Sequence, residues 1–514
     1  MPVPMASAPR LETPLVVTLD VGSSSVRALA FDSGGRAVAE RQLEYAMDTT
    51  PDGGVEIDAE RLVALTAEAL DGLLGEVGAA AVAGVAVSTF WHTLLGVDRA
   101  GRARTPLYSW ADTRSAAAVE ALRARLDEKA YHARTGCVLH TSYLPARLLW
   151  LRTRDAAGFG AVRRWMSFGE YLHLRLFGET RCSVSMASAT GLFDQRAQTW
   201  DPSVLAALEL DPDRLAPLAD LDAPLSGLRA EFARRWPPLR TIPWFPALGD
   251  GACSNVGAGC TGPDRAALMV GTSGAMRVAW PTGGVAIPTG LFCYRIDRRR
   301  ILLGGALSNG GSVRAWLSRI LRLNSPEAAE RELDAMPPDA HGLTVLPFLA
   351  GERSPGWVAE ARAAIVGLSL ATRPVDVVRA GLETVAYRFA LIHERLRQVC
   401  PGAGVLVATG GALLASPAWI RIMADVLGVP VIPSLEPEAS ARGAALLALE
   451  ALGALPSVEA APGRLGTPVT PDPARHARYR AGLARHRELY GLLMPFFTDA
   501  AERARQEGLT NDRA

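Results

Sequence analysis

The sequence predicts an α/β protein of two similar domains that close on one cleft. Its 514 residues are enough for two to four domains, and a composition of 49% apolar and 21% charged residues is typical of a compact enzyme. The chain also contains an internal repeat, since two segments almost half its length apart match: Val21-Gly22-Ser23-Ser24 and Val270-Gly271-Thr272-Ser273. Both segments end a buried strand and open a run of antiparallel strands, so each half of the chain is expected to contribute one turn to the cleft.

The sequence predicts a mixture of strands and helices in both halves of the chain. The helix at 58–74 has Asp58 as its expected N-cap, and a turn at 98–101 indicates a further hairpin. The predicted strands are residues 15–19, 26–31, 36–45, 82–87, 266–270 and 405–408. The predicted domains are residues 12–248 and 249–455, followed by a helical tail, 456–514, that packs back on the body.

The charged residues exclude several classes of protein. The 54 basic and 53 acidic side chains give a formal charge of +1, so we expect a small-molecule partner and neither nucleic acid nor a membrane. Lys129 is the single lysine, all other basic residues being arginine, and it lies in an acidic helical stretch without a glycine loop. P-loop and protein-kinase nucleotide sites, which need a lysine at the phosphates, are therefore excluded.

The cysteines and histidines predict no tightly held transition metal. The six cysteines never approach C-x-x-C spacing, and the eight histidines form no H-E-x-x-H pair. The N-terminal segment has no apolar stretch of the signal-peptide kind, and no run of about 18 apolar residues follows. These features predict a cytoplasmic protein.

The two turns can hold a polyphosphate without any lysine. Glycine lets backbone N–H groups approach a phosphate closely, and the hydroxyl groups of serine and threonine add donors without bulk. The residues expected to do this are Gly22, Ser23 and Ser24 in the first turn and Gly271, Thr272 and Ser273 in the second.

Four motifs, in order along the chain, resemble those of the FGGY family of carbohydrate kinases, within the actin-like ATPase superfamily. Residues 19–25 and 271–274 are similar to its two phosphate loops, residues 349–355 to part of its C-terminal signature and residues 409–412 to its adenosine motif. The resemblance covers about residues 15 to 450. It implies two actin-like, ribonuclease H-like α/β domains with an interdomain cleft, and ATP with Mg²⁺ as cofactors.

Three further segments resemble the gluconate-kinase branch of that family. They are residues 110–114, 185–193 and 307–311, of which the string Met186-Ala187-Ser188-Ala189-Thr190-Gly191-Leu192-Phe193 is the most distinctive. Phe90-Trp91-His92 departs from the pattern, which has a smaller residue and then Met before His, and the chain after about residue 455 matches no motif.

Asp250 is the expected general base. A sugar hydroxyl must lose its proton as it attacks the γ-phosphate, and a carboxylate can accept it. Asp250 lies between two glycines expected to leave room for substrate, and the resemblance gives the matching aspartate this role. An aspartate that caps the following helix is the structural alternative. Asp20, at the end of a buried strand, is expected to hold hydrated Mg²⁺.

The resemblance also implies residues for the nucleotide and the sugar. For the nucleotide they are Gly310, Gly311, Gly410, Gly411 and Ala412, the amides of the first two facing phosphate at a helix start. For the sugar they are Trp91, His92, Asp112 and Tyr143, together with Asp250. A gluconate carboxylate would need a cation, for which Arg114 is the first choice and Arg147 the second. Glu352 and Arg353 are expected to form an internal ion pair.

These expectations amount to ATP-dependent phosphorylation of D-gluconate at its terminal hydroxyl. Xylulose or another polyol or ketose is the alternative substrate on the same scaffold. A nucleotide-gated assembly or chaperone ATPase of the actin and Hsp70 type is the alternative of another class. The sequence leaves the oligomeric state open, a homodimer included.

Overall fold

The computed structural model describes residues 13–77, 82–323 and 325–506. The predicted domain start at residue 12 and the predicted tail beyond residue 506 lie outside the described residues. Within these three ranges, no helix is both long enough and apolar enough to span a membrane.

The strands are numbered along the chain. They are β1 Leu15–Val21, β2 Ser25–Phe31, β3 Ala37–Glu44, β4 Asp48–Thr49, β5 Val55–Ile57, β6 Val82–Thr89, β7 Leu95–Val97, β8 Leu107–Tyr108, β9 Arg164–Met166, β10 Cys182–Ser183, β11 Phe193–Asp194, β12 Thr199–Trp200, β13 Leu218–Ala219, β14 Leu248–Gly249, β15 Arg265–Val270, β16 Gly274–Pro281, β17 Phe292–Arg295, β18 Arg300–Leu307, β19 Thr344–Leu346, β20 Ala364–Val366, β21 Val405–Thr409 and β22 Val431–Pro433.

The helices are numbered in the same way. They are α1 Ala59–Val77, α2 Ala116–Arg123, α3 Glu128–Thr135, α4 Leu144–Arg154, α5 Ala156–Ala161, α6 Phe168–Phe177, α7 Val184–Ser188, α8 Pro202–Ala207, α9 Ala230–Arg235, α10 Asp250–Gly257, α11 Gly311–Ile320, α12 Pro326–Ala335, α13 Pro374–Val399, α14 Gly411–Leu414, α15 Pro417–Leu427, α16 Ala439–Ala451 and α17 Pro473–Gln506.

The first large sheet has the strand order β14-β6-β1-β2-β3. β14, β6 and β1 run parallel, β2 pairs antiparallel with β1, and β3 pairs antiparallel with β2. Asp20 on β1 is therefore beside Ser88 on β6, and Gly249 on β14 is beside Thr89. Because parallel strands end at the same edge, the residues that follow β6 and β14 lie next to Asp20.

The second large sheet repeats this arrangement with the order β17-β18-β16-β15-β21-β22. β15, β21 and β22 are parallel, whereas β16 pairs antiparallel with β15 and β18 pairs antiparallel with β16. β15 thus corresponds to β1, β21 to β6 and β22 to β14, with β17 as an additional edge strand. The predicted repeat is confirmed, and the turns after β1 and β15 occupy equivalent positions.

Helix α16 joins the two halves. It lies in the range predicted for the second domain, yet its apolar side chains belong to the same core as β1 and β6. It crosses α10 at backbone contact, since a Cβ at Gly443 would lie 1.8 Å from the carbonyl oxygen of Cys253. Helices α10 and α16 are therefore packed closely enough for their backbones to be in contact.

Helix α17 forms most of the described tail and packs on the second half of the chain. The Tyr479 ring is buried, and its hydroxyl donates to Glu383 on α13 at 3.1 Å. His486 is also buried, with Nδ1 3.0 Å from the carbonyl oxygen of Val345. The charges of this segment suggest a helix that is mainly exposed to solvent, but the structure buries one face of it.

Candidate active site

The turn after β15 borders two pockets, an inner one lined by both halves of the chain and an outer one lined by the second half alone. The inner pocket has a volume of about 180 Å³ and is lined by Ser23, Phe90, Trp91, His92, Trp110, Asp250, Met269, Ser273, Gly274, Ala275, Arg277, Ala306 and Arg353. The outer pocket, of about 730 Å³, is lined by Gly271, Thr272, Asn309, Gly311, Ser312, Ala315, Trp316, Arg319, Leu349, Gly411 and Ala412. The structure thus brings the predicted turns and Asp250 around one cleft.

Asp250 is the first residue of α10 and lines the inner pocket. One of its carboxylate oxygens accepts a hydrogen bond from the amide of Gly251 at 2.7 Å. Burial raises the pKa of Asp250, while the nearby guanidinium group of Arg277 opposes this shift. The carboxylate is therefore a stronger proton acceptor than one in water, which suits a general base.

The glycines on either side of Asp250 were predicted to leave room for the substrate, but the space beside them is occupied by the side chain of Trp91. A Cβ at Gly249 would lie 1.8 Å from Cε2 of Trp91, and a Cβ at Gly251 would lie 2.6 Å from Cζ3 of the same indole. The Trp91 side chain therefore packs directly on the backbone that carries Asp250.

Asp20 lies beneath the first turn. It is buried, and burial raises its pKa to about 6, with the charges of Asp250 and Glu438 adding to the effect. The nearest cation is Arg27, whose Nη1 is 3.9 Å from Asp20 but 2.8 Å from Glu438. Asp20 is not among the lining residues of either pocket, but the turn that follows it contributes Ser23 to the inner pocket. A buried carboxylate whose nearest cation lies closer to another carboxylate has the donor chemistry that hydrated Mg²⁺ needs.

Trp91 and His92 follow β6 at the strand edge where Asp20 lies. The Trp91 indole N–H donates to the carbonyl of Ser185 at 3.2 Å. His92 Nδ1 is 2.7 Å from the carbonyl oxygen of Ala189, so Nδ1 carries the proton and Nε2 is left as an acceptor. Burial lowers the pKa of His92 to about 3, so the ring is neutral.

His92 also has an unusual backbone conformation. Its φ of 61° lies in the left-handed region, which residues other than glycine seldom adopt. Such conformations persist where the surrounding structure enforces them, often at functional sites. The segment 185–189, which carries part of the resemblance to gluconate kinases, is the part of the chain that anchors both Trp91 and His92.

Aromatic rings form one wall beside His92. Tyr143 is buried, makes an edge contact with His92 at 5.1 Å between ring centroids, and shares a hydrogen bond of 2.7 Å with the hydroxyl of Tyr294. Tyr294 in turn contacts Trp91 at 5.0 Å. Tyr143 thus lies behind the pocket-lining residues and supports His92.

Asp112 and Arg114 do not line the inner pocket. Arg114 forms ion pairs with Asp112 and Glu56, and its guanidinium group stacks on Trp150 at 5.1 Å. This guanidinium group is already neutralised by two carboxylates, so it differs from the free cation that the sequence predicted.

Arg147 is likewise engaged by protein. It is fully buried and donates to the carbonyl oxygens of Thr141 at 3.2 Å and Ser142 at 2.6 Å, as well as to that of His92. Its contacts hold the chain around His92 in place.

Sequence reasoning missed the two arginines that do line the inner pocket, Arg277 and Arg353. The predicted Glu352–Arg353 ion pair is wrong, because Glu352 pairs with Arg388 and accepts a hydrogen bond from Tyr490 at 2.6 Å. Arg277 could have been found from the sequence, because it is a charged residue inside the apolar strand β16. Burying a charge there costs free energy unless the charge is paired or binds a ligand.

The nucleotide side of the cleft is built from three segments in close contact. A Cβ at Gly311 would lie 2.5 Å from the carbonyl oxygen of Gly271 and 2.5 Å from Cβ of Ala412. Gly410 has a φ of 87° and approaches the backbone of Val270. Trp316, Ala315 and Leu349 give the outer pocket an apolar surface suited to an adenine ring.

The amides at the start of α11 differ from the prediction that they face phosphate. Gly310 N–H donates to the carbonyl of Thr272 at 3.1 Å, and Gly311 N–H donates to that of Gly271 at 2.8 Å. These amides hold the second turn in place.

Ser23, Ser24 and Thr272 are exposed, so their hydroxyl groups are accessible to a ligand.

A cluster of Asp339, His341 and Glu383 lies elsewhere, beside α13 and α17. His341 Nε2 is 3.0 Å from Glu383, which also pairs with Arg379 at 2.6 Å. Asp339 pairs with Arg485. Since arginines neutralise these carboxylates, the cluster is a structural ion-pair network.

Family comparison matches nearly the whole cleft-forming region. Residues 15–257 match the N-terminal domain of the FGGY family of carbohydrate kinases, and residues 266–452 match its C-terminal domain. A gluconokinase of Bacillus subtilis is 24% identical over 496 residues, covering 94% of this chain and 95% of that protein. A glycerol kinase of Koribacter versatilis is 30% identical over 473 residues, covering 86% and 91%.

Solved structures share the fold. A gluconate kinase from Lactobacillus acidophilus superimposes with a TM-score of 0.88 at 25% identity, covering 94% of this chain and 99% of that one. A ligand-bound xylulose kinase from the same organism has a TM-score of 0.89, also at 25% identity and with the same coverage. The chain therefore belongs to the FGGY family of carbohydrate kinases and is an ATP-dependent sugar kinase with two actin-like domains.

Proposed function

We propose that this protein transfers the γ-phosphate of ATP to the terminal hydroxyl of D-gluconate, giving 6-phospho-D-gluconate and ADP. The observation that carries the proposal is the inner pocket, where the raised-pKa carboxylate of Asp250 lies between an aromatic wall and the turn bearing Ser273. Segments 110–114, 185–193 and 307–311 and the gluconokinase relatives support gluconate.

Asp250 acts as the general base in this proposal. Its carboxylate takes the proton of the substrate hydroxyl as the O–P bond forms and the bond to the β-phosphate oxygen breaks. The proton moves to Asp250, and ADP leaves with the electron pair. Trp91 and the Gly251 amide fix the carboxylate, and His92 Nε2 accepts a hydrogen bond from a sugar hydroxyl.

The phosphates lie along the shared turn in this proposal. Ser23, Ser24, Thr272 and Ser273 donate to their oxygens. Gly310, Gly311 and Gly410 hold the neighbouring backbone segments together by close approach, while Gly271 and Gly411 line the outer pocket, with Ala412 beside the adenine. Asp20 would hold hydrated Mg²⁺, which supplies charge neutralisation at the phosphates when bound.

Phosphorylation of xylulose is the second candidate, favoured by the xylulose kinase structure that superimposes on this chain. An assembly or chaperone ATPase is not retained, because both matched family domains are those of carbohydrate kinases. Sugar-dependent ADP release, measured across gluconate, xylulose, ribulose, glycerol and erythritol, tests the proposal. The highest kcat/KM is expected with gluconate, and a higher value with any of the others would refute that substrate.

A further inference from the structure

The inner pocket carries more positive than negative charge. Arg277 and Arg353 line it, whereas Asp250 is the one carboxylate among its described lining residues, and His92 is neutral. Side chains of two arginines held close in a partly closed pocket repel each other, and burial lowers the pKa of both. An anionic ligand would relieve this imbalance, whereas a neutral sugar would not.

The position of Arg277 is prepared by glycines on two neighbouring elements. On the paired strand β18, a Cβ at Gly304 would lie 3.0 Å from Cγ of Arg277. A Cβ at Gly251 would lie 3.0 Å from its Cζ. The Nε of Arg277 has no hydrogen-bond partner among the described residues, and none of these residues forms an ion pair with it. Its fork of donors is therefore available to a ligand.

Arg353 is held in place but only partly used. Its Nη2 donates to the carbonyl of Leu307 at 2.9 Å, and its guanidinium group stacks on Trp110 at 5.3 Å. Its Nε has no partner in the described part of the chain. The charge of Arg277 contributes to the lowered pKa of Arg353, so the two cations are close enough to interact.

We propose that Arg277, with Arg353 beside it, binds the carboxylate of the substrate and thereby makes this kinase selective for sugar acids over neutral sugars. The inference rests on the proposed function. A planar guanidinium group binds a carboxylate through two parallel hydrogen bonds, and one carboxylate supplies the charge that the pocket lacks. Arg114 and Arg147 cannot take this part without giving up the contacts they already make.

Kinetics and binding with a matched pair of compounds test this inference. The compounds are D-gluconate and D-glucitol, which has a hydroxymethyl group in place of the carboxylate. Dissociation constants from calorimetry, and kcat and KM, are measured for the wild type, Arg277→Met, Arg277→Lys and Arg353→Met. Arg61→Met, which removes a charge from the exposed face of α1, is the control and should match the wild type.

Arg277→Met is expected to raise the KM and Kd for gluconate by about 10- to 150-fold, the range for losing a hydrogen bond to a charged group, with kcat changed less than about 3-fold. Its affinity for glucitol should stay within about 3-fold of the wild type. Arg353→Met should have a smaller effect of the same kind. Arg277→Lys keeps the positive charge but loses the planar pair of donors, so its KM and Kd for gluconate should lie between those of the wild type and Arg277→Met. This variant keeps the test informative if Arg277→Met does not fold.

The outcomes separate this inference from the proposed function. The inference is wrong and the proposed function stands if the wild type prefers gluconate and the Arg277 variants keep that preference. The same conclusion holds if these variants lose kcat equally with every acceptor, because that result would mean that Arg277 binds a phosphate group. If the wild type prefers another sugar acid to its polyol and Arg277→Met loses that preference, the inference stands and gluconate is wrong. A wild type that phosphorylates neutral sugars alone refutes both.

Discussion

The indole of Trp91 lies against the backbone of Gly249, so closely that a Cβ at residue 249 would be 1.8 Å from Cε2 of the ring. Gly249 immediately precedes Asp250, and Trp91 immediately precedes His92. This single contact therefore couples the position of the proposed base to that of the proposed sugar-binding residues.

Gly249→Ala should disturb the site more than the fold. The added methyl must displace Trp91, and overpacking of this kind costs about 1–3 kcal/mol of stability. We expect kcat/KM for the sugar to fall at least about 100-fold, because a shift near 1 Å at the reacting groups has that effect. ADP affinity, measured by calorimetry, should stay within about 3-fold.

Gly75→Ala is the matched control for that substitution. Gly75 is in helix α1, and nothing lies within 4 Å of a Cβ at this position. The alanine should leave activity unchanged and stabilise the helix by about 0.5–1 kcal/mol. Full sugar phosphorylation by Gly249→Ala would contradict the contact.

Asp20→Asn should stabilise the nucleotide-free protein at neutral pH. The pKa of Asp20 is raised from 3.8 to about 6, so the folded state binds the proton more tightly than the unfolded state does. Stability is therefore lost as the pH rises from about 4 to 6, and the ionised group costs about 2–3 kcal/mol above that window. Urea unfolding without Mg²⁺ should show this gain at pH 7.5 and little of it at pH 4.5.

The same variant should lose Mg²⁺-dependent activity, because Asp20 is the proposed ligand of the hydrated ion. Asp71→Asn is the control, and its effect on stability at pH 7.5 is expected to have the opposite sign. Arg235 and Trp236 hydrogen-bond to the Asp71 carboxylate and lower its pKa, so this variant should be less stable at pH 7.5. An Asp20→Asn protein that is less stable than the wild type at pH 7.5 would show that the carboxylate is already neutralised.

Gly311→Ala should weaken nucleotide binding selectively. The new methyl would meet the carbonyl of Gly271 and the Cβ of Ala412, each at 2.5 Å, and would force the second turn and the adenine side of the outer pocket apart. We expect the KM for ATP to rise about 10-fold or more, with the Kd for the sugar unchanged when it is measured without nucleotide. Equal losses for both ligands would mean that the two pockets are not separate binding sites.

Much of the fold followed from local sequence patterns. The strand at 15–19, the turn after it and the helix N-cap at Asp58, whose carboxylate accepts from Glu60 at 2.7 Å, depend on neighbouring residues and were predicted. The packing of α16 on β1 and β6 was not, because nothing in a stretch of alanines and leucines specifies which of two sheets it will cover.

The candidate site was predictable to a similar extent. Asp250, Trp91 and His92 follow strand ends, where α/β sheets bind ligands, and the structure places them in one pocket. Arg277 and Arg353 were not found, and Arg114 was wrongly chosen, because the contacts that occupy or free a guanidinium group depend on the fold: Arg114 is bound by the distant Glu56 as well as by Asp112, and Arg353 faces Trp110 and not its neighbour Glu352. With this many arginines, spacing along the chain alone could not distinguish a paired guanidinium group from a free one.

The central claim is that Asp250 deprotonates a sugar hydroxyl in the cleft, and Asp250→Asn tests it most directly. Asp201→Asn is the matched control, because Asp201 is also a buried aspartate at a helix start but pairs with Arg134 away from the cleft. Gluconate-dependent ADP formation is measured for both variants, with ADP binding followed by calorimetry. Asp250→Asn should lower kcat by about 10²–10⁴-fold with ADP affinity unchanged, and Asp201→Asn should keep the wild-type kcat. An Asp250→Asn protein that phosphorylates gluconate within about 3-fold of the wild-type rate would contradict the account.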